Sequence, residues 1–407
     1  MKRKLFLQAL NVCVLICAMT ACNTSTQPPE PRSLRLLTAF RQDLDRLDSS
    51  LTGLESTIQK SDSNRAGTVQ VQSAFEAARH RYKSLEALLE TFEPDAALEM
   101  NAAALDKVED DDPNQNVVPP TGFQAMEEFL YPNFQVSQRL HLVGEVGILR
   151  SAIVRARQSV MHEQLTDENV FDALRAEIFR IITLGISGFD SPIALTSLPE
   201  AATALRSLNT VLAFYDDDLA AVSPLLMKRL KASIHAAVTY TEAKSRTFDT
   251  FDRLTFISEY VNPISLLLHE SRVALKIPFN DYAKPFAARA KTLFDSDAFN
   301  AAAYAPSRQK KIPQSQAELG RLLFFDPVLS EKNNRACASC HQPQRGFTDG
   351  LAHALTASHD RTKLRNTPTL INAGFQQSSS YDQSTTFLED RVMKVLQSSD
   401  EMHTSLT

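Results

Sequence analysis

The stretch LTAFRQDLDRLDSSLTGLESTI, residues 37–58, decides the fold class. Leu37, Phe40, Leu44, Leu47, Leu51, Leu54 and Ile58 recur at alternating steps of three and four. That spacing lays one apolar stripe along an amphipathic helix. The same periodicity returns over Val71 to Phe92, Gly122 to Leu130, His141 to Met161 and Val170 to Ile186. It continues over Ala201 to Phe214, Pro224 to Lys244 and Phe251 to Leu275. Few segments alternate with period two. Residues 34–280 therefore read as a helical bundle, and the chain as all-α. With 407 residues it is long enough for more than one domain. A net charge of -5 gives no reason to expect nucleic acid, whose binding needs a basic face.

Outward from the bundle, the first 22 residues read as a secretory signal. Lys2, Arg3 and Lys4 are followed by a short apolar run from Leu5 to Met19, too short to span a membrane. Met19-Thr20-Ala21-Cys22 resembles a bacterial lipobox, in which Cys22 becomes the lipidated first residue of an envelope lipoprotein. A plain secretory peptide cut nearby is the other reading. Residues 23–33 are a polar tether. Glu109-Asp110-Asp111-Asp112 reads as a solvated loop, with a calcium site as its alternative. Residues 281–312 form a connector, and from Pro313 the chain is richer in Gly, Asn, Ser and turns. The expectation there is short helices and loops.

Cysteine arithmetic points to chemistry in that last segment. Cys13 and Cys17 leave with the signal, and Cys22 is the lipid site. Cys337 and Cys340 remain, three apart, in Cys337-Ala338-Ser339-Cys340-His341. This is the attachment pattern of a covalent c-type haem. Two thiols join the two vinyl groups, and the histidine supplies the proximal nitrogen to iron. A redox disulfide leaves the adjacent His341 unexplained, and a zinc site needs two further close ligands with no third cysteine at hand.

The flanks carry more. Leu319-Gly320-Arg321-Leu322-Leu323-Phe324-Phe325-Asp326-Pro327 and Leu329-Ser330 precede the motif. Gly346-Phe347-Thr348-Asp349-Gly350 and Arg365-Asn366-Thr367-Pro368-Thr369-Leu370 follow it. In this order, over residues 313–407, they resemble the first haem domain of bacterial di-haem cytochrome c peroxidases and their MauG-like relatives. The resemblance implies a haem at which hydrogen peroxide is reduced, with electrons from a small donor cytochrome or cupredoxin, in the periplasm or cell envelope. It implies His341 as proximal ligand and Glu401, followed by Met402, as the catalytic base. Arg391 stands where the family often has a Gln near the distal pocket, as a charge-stabilising group or as a surface arginine. Tyr381-Asp382 stands where the family has a Trp-Asp pair between its haems, and this chain has no Trp; Tyr381 would then be the electron relay. His359, with His353 as the other loop histidine, matches a distal ligand. Asn366 matches a calcium ligand at the family's domain interface. The family also places a second haem domain after the Glu-Met pair, and this sequence stops at Thr407; the expectation is a fragment or a truncated product.

Gly122-Phe123-Gln124-Ala125-Met126-Glu127 resembles the Gly-x-His-x-x-Glu region of imelysin-like helical domains. Here Gln124, a poor metal ligand, replaces the histidine, which leaves a helical scaffold or docking role. Two rivals to the peroxidase reading stand beside it. One is a mono-haem electron carrier with a six-coordinate iron. The other is a partner-binding helical lipoprotein with an ancillary haem.

Overall fold

The computed structural model describes residues 30–108, 117–161, 164–244, 248–279, 285–306, 312–360, 362–376, 378–379 and 385–404. The fold is all-α. Helix α1 (Arg32–Lys60) buries every residue of the opening stripe, from Leu37 through Ile58. It packs along α2 (Arg65–Phe92), which starts where the Asn64 side chain accepts from the Gly67 amide. The short α3 (Pro94–Asn101) follows, entered through Pro94 at its first position.

Strands β1 (Lys107–Val108) and β2 (Val117–Val118) pair antiparallel as a minimal ladder. The acidic run between them lies outside the described residues. Helices α4 (Phe123–Leu130), α5 (Arg139–Ser159) and α6 (Asp167–Arg180) come next. They are followed by α7 (Ser197–Leu212), α8 (Asp216–Val222) and α9 (Pro224–Ala243). The bundle closes with α10 (Asn262–Ala274). One continuous apolar core runs from Leu36 to Ile277.

Three helices differ from the periodicity reading. Gly122 precedes α4 with φ 93°, and a Cβ there would lie 2.5 Å from the Met100 carbonyl oxygen, so only glycine fits. The pattern over Val170 to Ile186 leaves α geometry at Arg180 and widens into a π-turn, Ile181–Gly185. The pattern over Phe251 to Leu275 is divided too. A helical turn, Arg253–Thr255, runs into a π-turn, Phe256–Val261, before α10 begins. Pro263 supplies the reason: it has no amide to donate and clashes with the preceding turn, which the wider π geometry accommodates.

A connector leads from the bundle. The buried Arg175 guanidinium donates to the carbonyls of Ala287, Ala288 and Ala290, at 3.1, 2.6 and 2.5 Å. Beyond it lie α11 (Gln314–Phe325), α12 (Cys337–Cys340) and α13 (Leu388–Gln397), joined by loops and 3₁₀ turns. Among the described residues no helix is long and apolar enough to cross a membrane.

Candidate haem site

The segment that carries the two cysteines has almost no apolar core of its own. Among its described residues past 312, the buried hydrophobic ones are Ala336, Ala354 and Met402. Helices α11 and α13 bury nothing, yet they present Leu319, Leu322, Phe325, Val392 and Met393. A segment of this size with its apolar side chains uncovered lacks the burial that offsets chain entropy. A large flat apolar group seated among them would supply it, which is how a haem fits these residues.

The Cys337–His341 turn has the donor set to hold that group. Ser330, buried, accepts at its Oγ from the amides of Asn334 and Arg335, each at 3.1 Å, and sets the turn into the motif. The Ala336 amide donates to Ser339 Oγ at 3.1 Å, and the His341 amide to the Cys337 carbonyl at 2.9 Å. This one helical turn places Cys337, Cys340 and His341 at i, i+3 and i+4, on one face. Both cysteines are free and half-buried, and burial pushes both thiols up.

His341 is oriented by its second nitrogen. Nδ1 lies 3.1 Å from the Phe347 carbonyl oxygen. A carbonyl only accepts, so Nδ1 carries the proton and Nε2 keeps its lone pair for a metal. Gly346 and Phe347 both adopt left-handed backbone, φ 64° and 61°. Strain at Phe347 is the cost of aiming that carbonyl. The same turn is locked to the Arg-Asn-Thr-Pro stretch. Thr367 Oγ1 donates to the buried carboxylate of Asp349 at 2.8 Å, and Thr369 Oγ1 to the Gly346 carbonyl at 2.6 Å.

Glu401 lies beside the motif. Its Oε1 accepts from Lys363 Nζ at 2.7 Å, and its carbonyl accepts from Arg335 Nη1 at 3.3 Å. Met402 is buried, and its carbonyl accepts from the Glu331 amide at 3.1 Å. The turn bearing Glu401 is thereby fastened to the approach of the haem motif.

The other sequence-read residues are less gathered. Arg391 sits, half-buried, in the first turn of α13, and no described side-chain contact joins it to Glu401. His359 is exposed with φ 58°. His353, also exposed, holds its Nδ1 3.1 Å from the Leu364 carbonyl oxygen, so its Nε2 carries the lone pair. Asn366 is exposed, and among the described residues no cluster of three or more His, Cys, Asp or Glu is placed to hold a metal ion. Tyr381 and Cys22 lie outside the described residues.

Sequence reasoning missed Arg335, Lys363 and the Phe347 carbonyl. The first two lie between the motifs and belong to none of them, and the third is a backbone atom.

The bundle hides a second polar cluster around the Gly122–Glu127 region. Gln124 Nε2 donates to the Asn101 carbonyl at 3.3 Å. Glu127 Oε2 accepts from the Ile193 and Ala194 amides, at 2.9 and 3.0 Å. Arg79, fully buried, forks onto both oxygens of Glu200 at 2.6 and 2.7 Å and approaches Glu127 to 3.8 Å. Lys83 joins Glu86 and Asp190 at 2.7 and 2.6 Å. Burial pushes the carboxyls of Glu86 and Glu127 up. Burial also pushes on Asp190, but Lys83, Arg79 and Arg180 together outweigh it and hold that carboxyl down. A cavity of about 10 Å³ borders Glu177 and Ser197, whose Oε1 and Oγ have no protein partner among the described residues. It has room for one water. Arginine and lysine supply the positive charge in this cluster, where a metal would have to.

Comparison with known proteins falls on the haem segment. Residues 314–407 match the family model described as di-haem cytochrome c peroxidase. A cytochrome-c peroxidase, IdrP2, of Denitromonas iodatirespirans is 39% identical over 89 residues, covering 20% of this chain and 24% of that protein. Methylamine utilization protein MauG of Methylophilus methylotrophus is 34% identical over 91 residues, 22% of this chain and 27% of its own. Cytochrome c551 peroxidase of Pseudomonas aeruginosa is 33% identical over 98 residues, 24% and 28% respectively. The chain thus spans about a quarter of the length of the curated relatives it matches. Residues 314–407 are thus similar to a domain of the di-haem cytochrome c peroxidase family.

Proposed function

We propose that the chain is a haem c peroxidase-type oxidoreductase that reduces hydrogen peroxide with electrons from a small donor protein. The observation that carries this reading is His341, held through Nδ1 with Nε2 free, on the same turn as two half-buried cysteines. Cys337 and Cys340 would hold the haem through thioether bonds and His341 would ligate its iron. The haem supplies the redox centre and the Lewis acid toward peroxide oxygen.

The chain's own residues handle protons. Reducing hydrogen peroxide to two waters takes two electrons and two protons, and one oxygen must leave already protonated. Glu401 takes the proton from the attacking side and returns it to the leaving oxygen. Its position one residue before the buried Met402, on a turn tied to Arg335, supports this role. In the same reading Arg391 stabilises charge on the leaving oxygen, and Tyr381 passes electrons inward. His359 would be the further histidine offered to the haem iron, and Asn366 would contribute to a calcium site.

The division into a bundle over 34–280, a connector over 281–312 and a haem segment over 313–407 goes with it. So does periplasmic placement through a lipid on Cys22, and a second haem of the kind the family name states. The bundle, imelysin-like in its Gly122–Glu127 region, serves as a scaffold.

The test is a spectral titration of the purified haem protein with hydrogen peroxide, alongside turnover with a reduced donor. Peroxide should change the ferric spectrum, and Glu401→Gln should cut turnover by about 10²-fold or more. Unchanged spectra and no turnover would sink the reading.

A further inference from the structure

We propose that Lys363 is the positioning residue of this site, gripping Oε1 of Glu401 so that its carboxylate is presented in one orientation. The inference rests on the reading of Glu401 as the base. It starts from a contact between residues 38 apart in sequence, Lys363 Nζ to Glu401 Oε1 at 2.7 Å.

The two side chains are 31% and 26% exposed. An ion pair this accessible usually contributes little, because two long side chains must be held in one geometry against screening. Here both ends are already fixed. The Lys363 amide donates to the Ala354 carbonyl at 2.7 Å, the Ala354 amide to the Arg365 carbonyl at 3.0 Å, and Leu355 bridges Thr362. Lys363 therefore projects from a short ladder. Glu401 projects from a turn closed by its own amide on the Ser398 carbonyl at 3.0 Å. Ladder and turn are joined directly, by the Ala357 amide on the Asp400 carbonyl at 2.7 Å.

Arg335 ties both to the haem motif. One nitrogen donates to the Glu401 carbonyl, and the other to the Leu355 and Thr356 carbonyls at 3.5 and 3.2 Å. Arg335 stands two residues before Cys337. The backbone of Glu401 is thus referenced to the thioether positions by Arg335, and its carboxylate by Lys363. A base that must face a peroxide oxygen gains from this, since a displacement of about 1 Å costs about 10²-fold in rate.

The experiment uses the full haem-loaded chain with hydrogen peroxide as substrate and ferrocyanide as electron source. Lys363→Met should lower kcat about ten-fold and leave the KM for peroxide within about two-fold, with Lys363→Arg restoring most of the loss. Hydrogen exchange at the Ala357 and Glu401 amides should speed up about ten-fold in Lys363→Met and not in Lys363→Arg. If Glu401→Gln loses turnover while Lys363→Met keeps the wild-type kcat and exchange, the positioning role is wrong and the base reading stands. If Glu401→Gln keeps turnover, the base reading itself falls and the positioning role with it. A Lys363→Arg variant as slow as Lys363→Met, with an altered haem spectrum in both, would show structural damage alone and also overturn the proposal.

Discussion

Replacing Arg79 by methionine tests whether the buried ionic cluster is the bundle's structural keystone. Arg79 is fully buried, forks onto Glu200, and donates to the Asp190 carbonyl at 2.6 Å and to Asn101 Oδ1 at 3.2 Å. Methionine leaves little void, so the cost is electrostatic. Removing one partner of a buried pair costs about 3–5 kcal/mol, because the other charge stays buried and uncompensated. For a bundle of this size that is a fall in Tm of roughly 6–20 °C. The penalty should also depend on pH. Burial already raises the Glu127 carboxyl, and Arg79 is the largest influence holding it back. Without Arg79 it rises further. An acid whose folded pKa lies above its unfolded value of about 4.3 holds a proton in the fold that the unfolded chain has lost. Its stabilising contribution is complete below that unfolded value and disappears as pH rises through the folded one. The gap between wild type and Arg79→Met should therefore be smaller at about pH 4.5 than at about pH 7.5. Urea unfolding followed by far-UV circular dichroism at both pH values measures it. A penalty under about 1 kcal/mol, or one equal at the two pH values, would refute the argument.

Other outcomes follow from the same structure. His341→Gly should leave the thioether bonds intact but remove the proximal ligand, with added imidazole restoring the absorption spectrum. Thr367→Val deprives the buried Asp349 carboxylate of its 2.8 Å donor and should cost about 1–3 kcal/mol in urea unfolding of the haem-loaded segment. Leu44→Ala empties a fully buried site on α1 and should cost about 2–5 kcal/mol in the bundle transition, with the haem spectrum unchanged.

The bundle was legible where apolar residues alone set the period. Every member of the Leu37 to Ile58 stripe is buried. Helices α3 and α8 were not, because α3 buries mainly alanines with Met100 and α8 buries Leu219, too few large apolar side chains to mark a stripe. The ionic cluster escaped for a different reason. Arg79, Lys83 and Glu86 are charged and belong to no motif, yet they stand at i, i+4 and i+7 on the face that also buries Phe75, Tyr82 and Leu89. Charges falling in register with a core stripe were the available signal. In the haem segment the attachment turn was readable because its chemistry is local, five consecutive residues. The grip of Lys363 on Glu401 was not, because it depends on how a ladder and a distant turn meet.

The two parts of the chain solve the burial problem differently, and the connector shows how they are joined. The bundle closes its own core by Ile277, whereas the haem segment leaves Leu319, Leu322 and Phe325 uncovered. Between them runs a line of rings. Phe179 of α6 meets Phe286 at 4.0 Å, Phe286 meets Phe299 at 6.1 Å, and Phe299 meets Phe375 of the haem segment at 6.0 Å. Arg175 lies over Phe286 at 4.7 Å while it holds three connector carbonyls, and burial pushes its guanidinium down to about 10. The line begins in a preformed core and ends on a segment that needs a prosthetic group to complete its own. Haem attachment should then raise the unfolding temperature of the segment strongly and that of the bundle hardly at all, because among the described residues the buried bundle core takes in none of the haem segment.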